Sequence, residues 1–89
     1  MESVLIEQYI SRLNTELKLN KTSEKTKLIY IYFIKKFLLT LDKLPEKATE
    51  NDVKFFLSEV IDSYSTKSYA LLLSSLRFFF KNIIKSNAM

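Results

Sequence analysis

The sequence predicts an all-α fold, a compact four-helix bundle whose helices cross at steep angles. Three observations lead there. The 89 residues include no glycine and one proline, 47% of them are hydrophobic, and the apolar positions recur at spacings of three and four instead of alternating. A chain of this length buries roughly 60% of its unfolded surface in one core, so residues 1–89 are expected to form one helical domain.

Ile6, Tyr9, Ile10, Leu13 and Leu17 fall within about 100° of one another on a helical wheel, which predicts a first helix over residues 3–17 with one apolar stripe. Lys18 to Thr22 has no apolar period, and Thr22 or Ser23 can cap a second helix because a short hydroxyl accepts from a first-turn amide. That helix runs to about Leu41. It is apolar nearly all round, the pattern of a helix enclosed by others, apart from a strip of Lys25, Tyr32 and Lys36. Pro45 stops it, since the ring disfavours helical geometry in the preceding residue.

Thr49 and Asp52 have the spacing of a capping box and open a third helix over residues 50–63, with Val53, Phe56, Leu57, Val60 and Ile61 inward and Phe55 standing off. Ser63 or Ser65 caps a fourth over residues 66–85. Its wide apolar face holds Tyr69, Leu72, Leu73, Leu76, Phe79, Phe80, Ile83 and Ile84; Lys67, Ser74, Lys81 and Lys85 lie opposite, with Arg77 beside them.

Composition excludes most chemistry. Without histidine, cysteine or glycine there is no Ser-His-Asp or Cys-His machinery, no thiolate or imidazole zinc site and no glycine-rich phosphate loop. The expectation is a binding protein that is not an enzyme by itself and uses no metal or small-molecule cofactor. The most apolar stretch, Leu28 to Leu41, is interrupted by Lys35 and Lys36 and falls short of the ~20 residues a bilayer requires, and residues 1–17 lack the apolar run of a secretory signal. No membrane partner and a cytoplasmic location are therefore expected.

The net charge of +4 says little until it is divided. Residues 1–17 carry −2, 18–47 carry +5, 48–63 carry −3, and 64–89 carry +4 with no acid. The first and third helices are acidic, and the second and fourth with their leading loops are basic. Side by side, the basic pair would present cations, hydroxyls and first-turn amides to phosphates.

These residues also resemble a known family. Ser23, Thr26, Tyr30, Ile34, Phe37 and Leu38 are similar to the pattern opening the second helix of the core-binding, SAM-like N-terminal domain of tyrosine recombinases, the phage integrases. Ala48-Thr49-Glu50-Asn51-Asp52-Val53 with Phe56-Leu57 resembles its third helix. Ser65, Ser68, Leu73-Ser74-Ser75-Leu76-Arg77 and Phe79-Phe80 resemble its fourth. The likeness spans about residues 3–85. It implies a DNA-binding module for site-specific recombination, contacting duplex DNA through helices 2 and 4, while a C-terminal catalytic domain absent from this chain supplies the arginines, histidine and nucleophilic tyrosine. Duplex DNA, that catalytic domain and other recombinase protomers are the implied partners.

Carried over by position, Ser23, Thr26, Ser65, Ser68 and Arg77 are the implied DNA-binding residues; the helical wheel adds Lys25, Lys36, Lys67 and Lys81. The sequence departs from the pattern after Tyr30, where Ile31, Tyr32 and Phe33 replace polar residues, and at Leu71 and Leu72, where helix 4 often has arginines. An alternative function follows from Leu71 and Phe78 on the flank of helix 4, with Phe55 displaced on helix 3: a protein-interaction domain that self-associates or docks a partner through that apolar flank.

Overall fold

A computed structural model describes residues 1–86, 88 and 89. Four α-helices follow in order: α1 (Ser3–Leu19), α2 (Glu24–Thr40), α3 (Glu50–Val60) and α4 (Thr66–Phe79). Short 3-10 turns at Pro45–Lys47 and Ile61–Ser63 flank α3, and α4 continues into a π-helical turn over Phe80–Ile84. There is no strand among the described residues. The fold is the expected all-α bundle.

The starts of α2, α3 and α4 follow from side chains that satisfy first-turn amides, which have no intrahelical partner, whereas α1 begins without a side-chain cap. Ser23 Oγ accepts from the Thr26 amide at 3.3 Å, and Ser65 Oγ accepts from the Ser68 amide at 3.2 Å. The capping box at α3 is complete: Thr49 Oγ1 accepts from the Asp52 amide, and Asp52 accepts from the Thr49 amide at 2.8 Å. Removing either serine hydroxyl, in Ser23→Ala or Ser65→Ala, is expected to cost about 1 kcal/mol, read as a lower urea midpoint with unchanged slope.

The Thr49 amide, and then the Lys43 ammonium 3.1 Å away, hold the Asp52 carboxyl below its ordinary value of 3.8. A depressed carboxylate stabilises the fold fully above its unfolded pKa, and that contribution is lost as pH falls through the folded one. Asp52→Asn should therefore flatten the acid side of the stability profile, below about pH 4, and leave its alkaline side unchanged.

The core forms where three helices meet. Both α1 and α4 lie close against α2, whereas α3 sits further away and reaches in through Val53, Phe56 and Val60. Leu13, Leu17, Ile34, Phe37, Leu38, Leu72, Leu76 and Phe79 are wholly buried. The rings meet edge to face, Phe37 with Phe56 at 5.1 Å and with Phe80 at 5.8 Å, and Phe79 with Phe80 at 5.5 Å. This arrangement sets the positive ring edge against the negative face. All five apolar residues assigned to the α1 stripe are buried.

Three expectations need correction. The second helix is less enclosed than expected: beyond Tyr32 of the anticipated strip, Leu28 and Leu39 are exposed, because α1, α4 and the α3 segment cover only the remainder of its circumference. Ile61 is exposed, since the chain tightens into a 3-10 turn there and rotates the side chain off the core face of α3. The fourth helix does not remain α-helical to residue 85. Its last turn widens at Phe80–Ile84, and Lys85 closes it with a left-handed backbone at φ 60°. The Arg12 guanidinium donates to the Ile83 carbonyl at 2.8 Å and Asn82 Nδ2 to the Phe78 carbonyl at 3.0 Å, which gives carbonyls at this helix end side-chain donors.

None of the described helices is long and apolar enough to cross a membrane.

Candidate nucleic-acid interface

The two basic helices begin alike. Ser23 Oγ donates to Thr26 Oγ1 at 3.0 Å while accepting from its amide, and Ser65 Oγ and Ser68 Oγ repeat the arrangement at 3.3 Å. In each case one serine fixes the N-terminal turn. The amides of Glu24 and Lys25, and of Thr66 and Lys67, have no side-chain acceptor among the described residues. Such groups sit at the positive end of the helix dipole, where an anion is favoured. Lys25 and Lys67 occupy the second position of their helices, exposed.

Lys36 is not the free edge cation that the wheel suggested. Its ammonium donates to Tyr64 Oη at 3.0 Å and lies 5.3 Å from the centre of that ring. Tyr64 in turn packs edge-on to Phe33 at 5.4 Å. The hydrogen bond to Tyr64 outweighs desolvation and raises the Lys36 pKa above 10.5, so the charge is retained although the side chain is half-buried. Lys36 is thereby tethered to the residue that precedes the Ser65 cap, which joins the C-terminal half of α2 to the start of α4, and it borders a hollow with Asp42, Asp52 and Glu59.

Sequence reasoning passed over Tyr64. The available signal was an aromatic immediately before a capping serine with another, Tyr69, five residues on, the spacing of a hydrophobic staple. Tyr64→Phe keeps the ring and deletes the hydroxyl. It is expected to return the Lys36 pKa toward its ordinary value, measurable by NMR titration of the Nζ resonance, while changing stability by about 1 kcal/mol or less.

A second cluster lies along the C-terminal half of α4. Arg77 and Lys81 are exposed and border a hollow shared with Asn20, Tyr30, Ser74 and Asn82, so this part of α4 adjoins the α1–α2 turn, three residues ahead of Ser23. A π-helical turn advances less around the axis per residue than an α-helical one, and Lys81 and Lys85 fall back toward the Arg77 row. These three cations line a neighbouring hollow of about 490 Å³ with Phe80, Ser86 and Met89.

The residues expected on an exposed apolar flank do not form one. Leu71 and Phe78 are half-buried and packed against the core, Phe78 against the Tyr30 ring at 6.2 Å, because α2 crosses α4 over that flank. Phe55 is exposed on α3, apart from them.

Ion pairs fall unevenly over the surface. Lys27 pairs with Glu24, Lys35 with Glu7, Lys43 with Asp52 and Lys54 with Glu50. Lys25, Lys67, Arg77, Lys81 and Lys85 have no carboxylate partner among the described residues. Helix α4 and its π turn contain no acid at all.

Four crossing helices with two hydroxyl-capped basic starts define an all-α module of the kind anticipated from the motifs. Over residues 6–88 the chain matches the phage integrase N-terminal SAM-like domain, and it belongs to that family. No curated protein and no solved structure matches it significantly.

Proposed function

We propose that this domain is a DNA-binding module of a tyrosine recombinase that grips one side of a duplex through α2 and α4 and performs no chemistry itself. The observation that supports this reading best is the run of cations on α4 and its π turn, Lys67, Arg77, Lys81 and Lys85, none of them neutralised by a carboxylate among the described residues. Solvated faces commonly mix signs, and a surface that keeps one sign suits a polyanion.

In this reading the Ser23 and Ser65 caps set the two helix starts at the phosphates, where the Thr26 and Ser68 hydroxyls and the amides of Glu24, Lys25, Thr66 and Lys67 donate. Lys25, Lys36 and Lys67 supply charge beside them, and Arg77 and Lys81 extend the contact along α4. Phosphate contacts position a protein on DNA without reading sequence. The isolated module should accordingly bind weakly and non-specifically, with a dissociation constant on the order of 10⁻⁴ to 10⁻⁶ M at moderate salt. Strand cleavage would come from a separate catalytic domain, since the chain has no histidine for the family's chemistry.

Titration of a labelled duplex at two salt concentrations tests the proposal. Affinity that falls steeply as salt rises is the expected result; no binding at millimolar protein in low salt, or binding indifferent to salt, contradicts it. The alternative docking role for the α4 flank would have less apolar surface to use, because Leu71 and Phe78 are half-buried against the core.

A further inference from the structure

Helix α3 stands off from α2, and a groove of about 390 Å³ opens between them. Its floor is apolar, built from Phe37 and Leu41 on the α2 side and Phe56 on α3, all of them buried. Phe55 borders the same groove and is 67% exposed, more than any other aromatic ring among the described residues. An exposed ring alone would mean little. Set against an apolar floor in a groove, it has the make-up of an anchor for a partner side chain.

The rim supplies the charge. Asp42, Asp52 and Glu59 border the groove, and the one cation there, Lys36, has its ammonium bound to Tyr64. Asp52 is engaged by Lys43 and by the Thr49 amide. Asp42 and Glu59 are exposed and have no cationic partner among the described residues. An apolar floor edged by two unneutralised carboxylates selects the chemistry of its occupant. The phosphates of a nucleic acid are repelled by the carboxylates, and a wholly apolar segment makes no use of them. A segment that carries one large apolar side chain between lysines or arginines matches both features, apolar centre and charged edge.

We propose that the groove between α2 and α3 docks a cationic segment of another protein chain. One side chain the size of leucine or phenylalanine lies over the floor against Phe55, and flanking lysines or arginines meet Asp42 and Glu59. Such an occupant touches both helices and ties α3 down. Helix α3 otherwise reaches the core mainly through Val53, Phe56 and Val60. A ligand that binds the closed arrangement stabilises it by mass action, so docking should slow hydrogen exchange of the α3 amides. The site uses neither Arg77 nor Lys81 nor the starts of α2 and α4, and it is tested without DNA, so it stands or falls independently of the nucleic-acid reading.

The test is an NMR titration of the labelled chain with an alanine-based helical peptide of about 16 residues, bearing one leucine and a lysine one turn to either side of it. Saturable binding is expected, with a dissociation constant on the order of 10⁻⁴ M. Shifts should centre on Leu41, Asp42 and residues 55–59, and α3 amides should exchange more slowly in the complex. Replacing the leucine of the peptide by alanine, or its lysines by glutamates, should weaken binding at least tenfold. In the protein, Phe55→Ala should do the same, as should Asp42→Lys combined with Glu59→Lys. All three side chains are exposed, so these variants should keep the circular dichroism of the wild type. Arg77→Glu with Lys81→Glu should not lower peptide affinity, whatever it does to DNA. No saturable binding at millimolar peptide overturns the proposal, as do shifts centred away from the groove, equal affinity for the glutamate peptide, or indifference to Phe55→Ala. Self-association of the wild-type chain through Phe55, in the absence of peptide, assigns the groove to a second copy and overturns it equally.

Discussion

Phe37→Ala is expected to remove most of the stability of the fold. The side chain is wholly buried, and its ring is the common neighbour of Phe56 from α3 and Phe80 from the π turn. Truncating a buried phenylalanine costs about 3–5 kcal/mol, from lost transfer energy and from the cavity left behind. A chain of this length has about 4–13 kcal/mol in total. The effect should be largest here because α3 has few other attachments: without the Phe37 ring, Phe56 loses its partner and α3 loosens first. Urea unfolding followed by circular dichroism checks the magnitude. Hydrogen exchange checks the order, with α3 amides losing protection before those of α2. Leu39→Ala on the same helix is the control; exposed as it is, it should change stability by less than about 0.5 kcal/mol.

The second large effect is on DNA. Reversing Arg77 and Lys81 together, in Arg77→Glu with Lys81→Glu, should weaken duplex binding roughly tenfold to a hundredfold. The proposed contacts are to phosphates and not to base edges, so the loss should be similar for unrelated sequences. Each phosphate contact contributes about 0.9 to the slope of log affinity against log salt, so that slope should also fall by about 2. Both side chains are exposed and without carboxylate partners among the described residues, and the substitution should leave the fold intact. Lys54→Glu on α3, in the acidic part of the chain, should leave affinity unchanged.

Helix number, order and start points were legible in the sequence because they depend on local chemistry. A serine, or a threonine three residues before an aspartate, signals its capping geometry without knowledge of what surrounds it, and the α1 stripe could be read directly from its period. The misreadings of burial on α2 and α4 share one cause. Whether an apolar residue is buried depends on how many neighbours a helix has, and α2, apolar nearly all round, is covered on only part of its circumference. Conversely, Leu71 and Phe78 lie outside the main α4 stripe and are still half-buried, Phe78 against the Tyr30 ring of α2. The widened turn at Phe80–Ile84 could not be read from periodicity; it rests on donors from Arg12, distant in sequence, and from Asn82. The caps at Ser23 and Ser65 were legible as types and positions, whereas the Tyr64 tether on Lys36 depends on a contact between residues 28 apart in sequence.

We propose that the cationic side of α2 and α4 is the face that meets DNA. Titrating isotopically labelled protein with a short duplex, and following each backbone amide by NMR, tests it most directly. Shifts are expected to concentrate at residues 23–26 and 64–68 and around Arg77 and Lys81, growing weaker as salt is raised, with α1 and α3 nearly silent. Shifts centred on the acidic helices α1 and α3, or none at millimolar duplex in low salt, would contradict it.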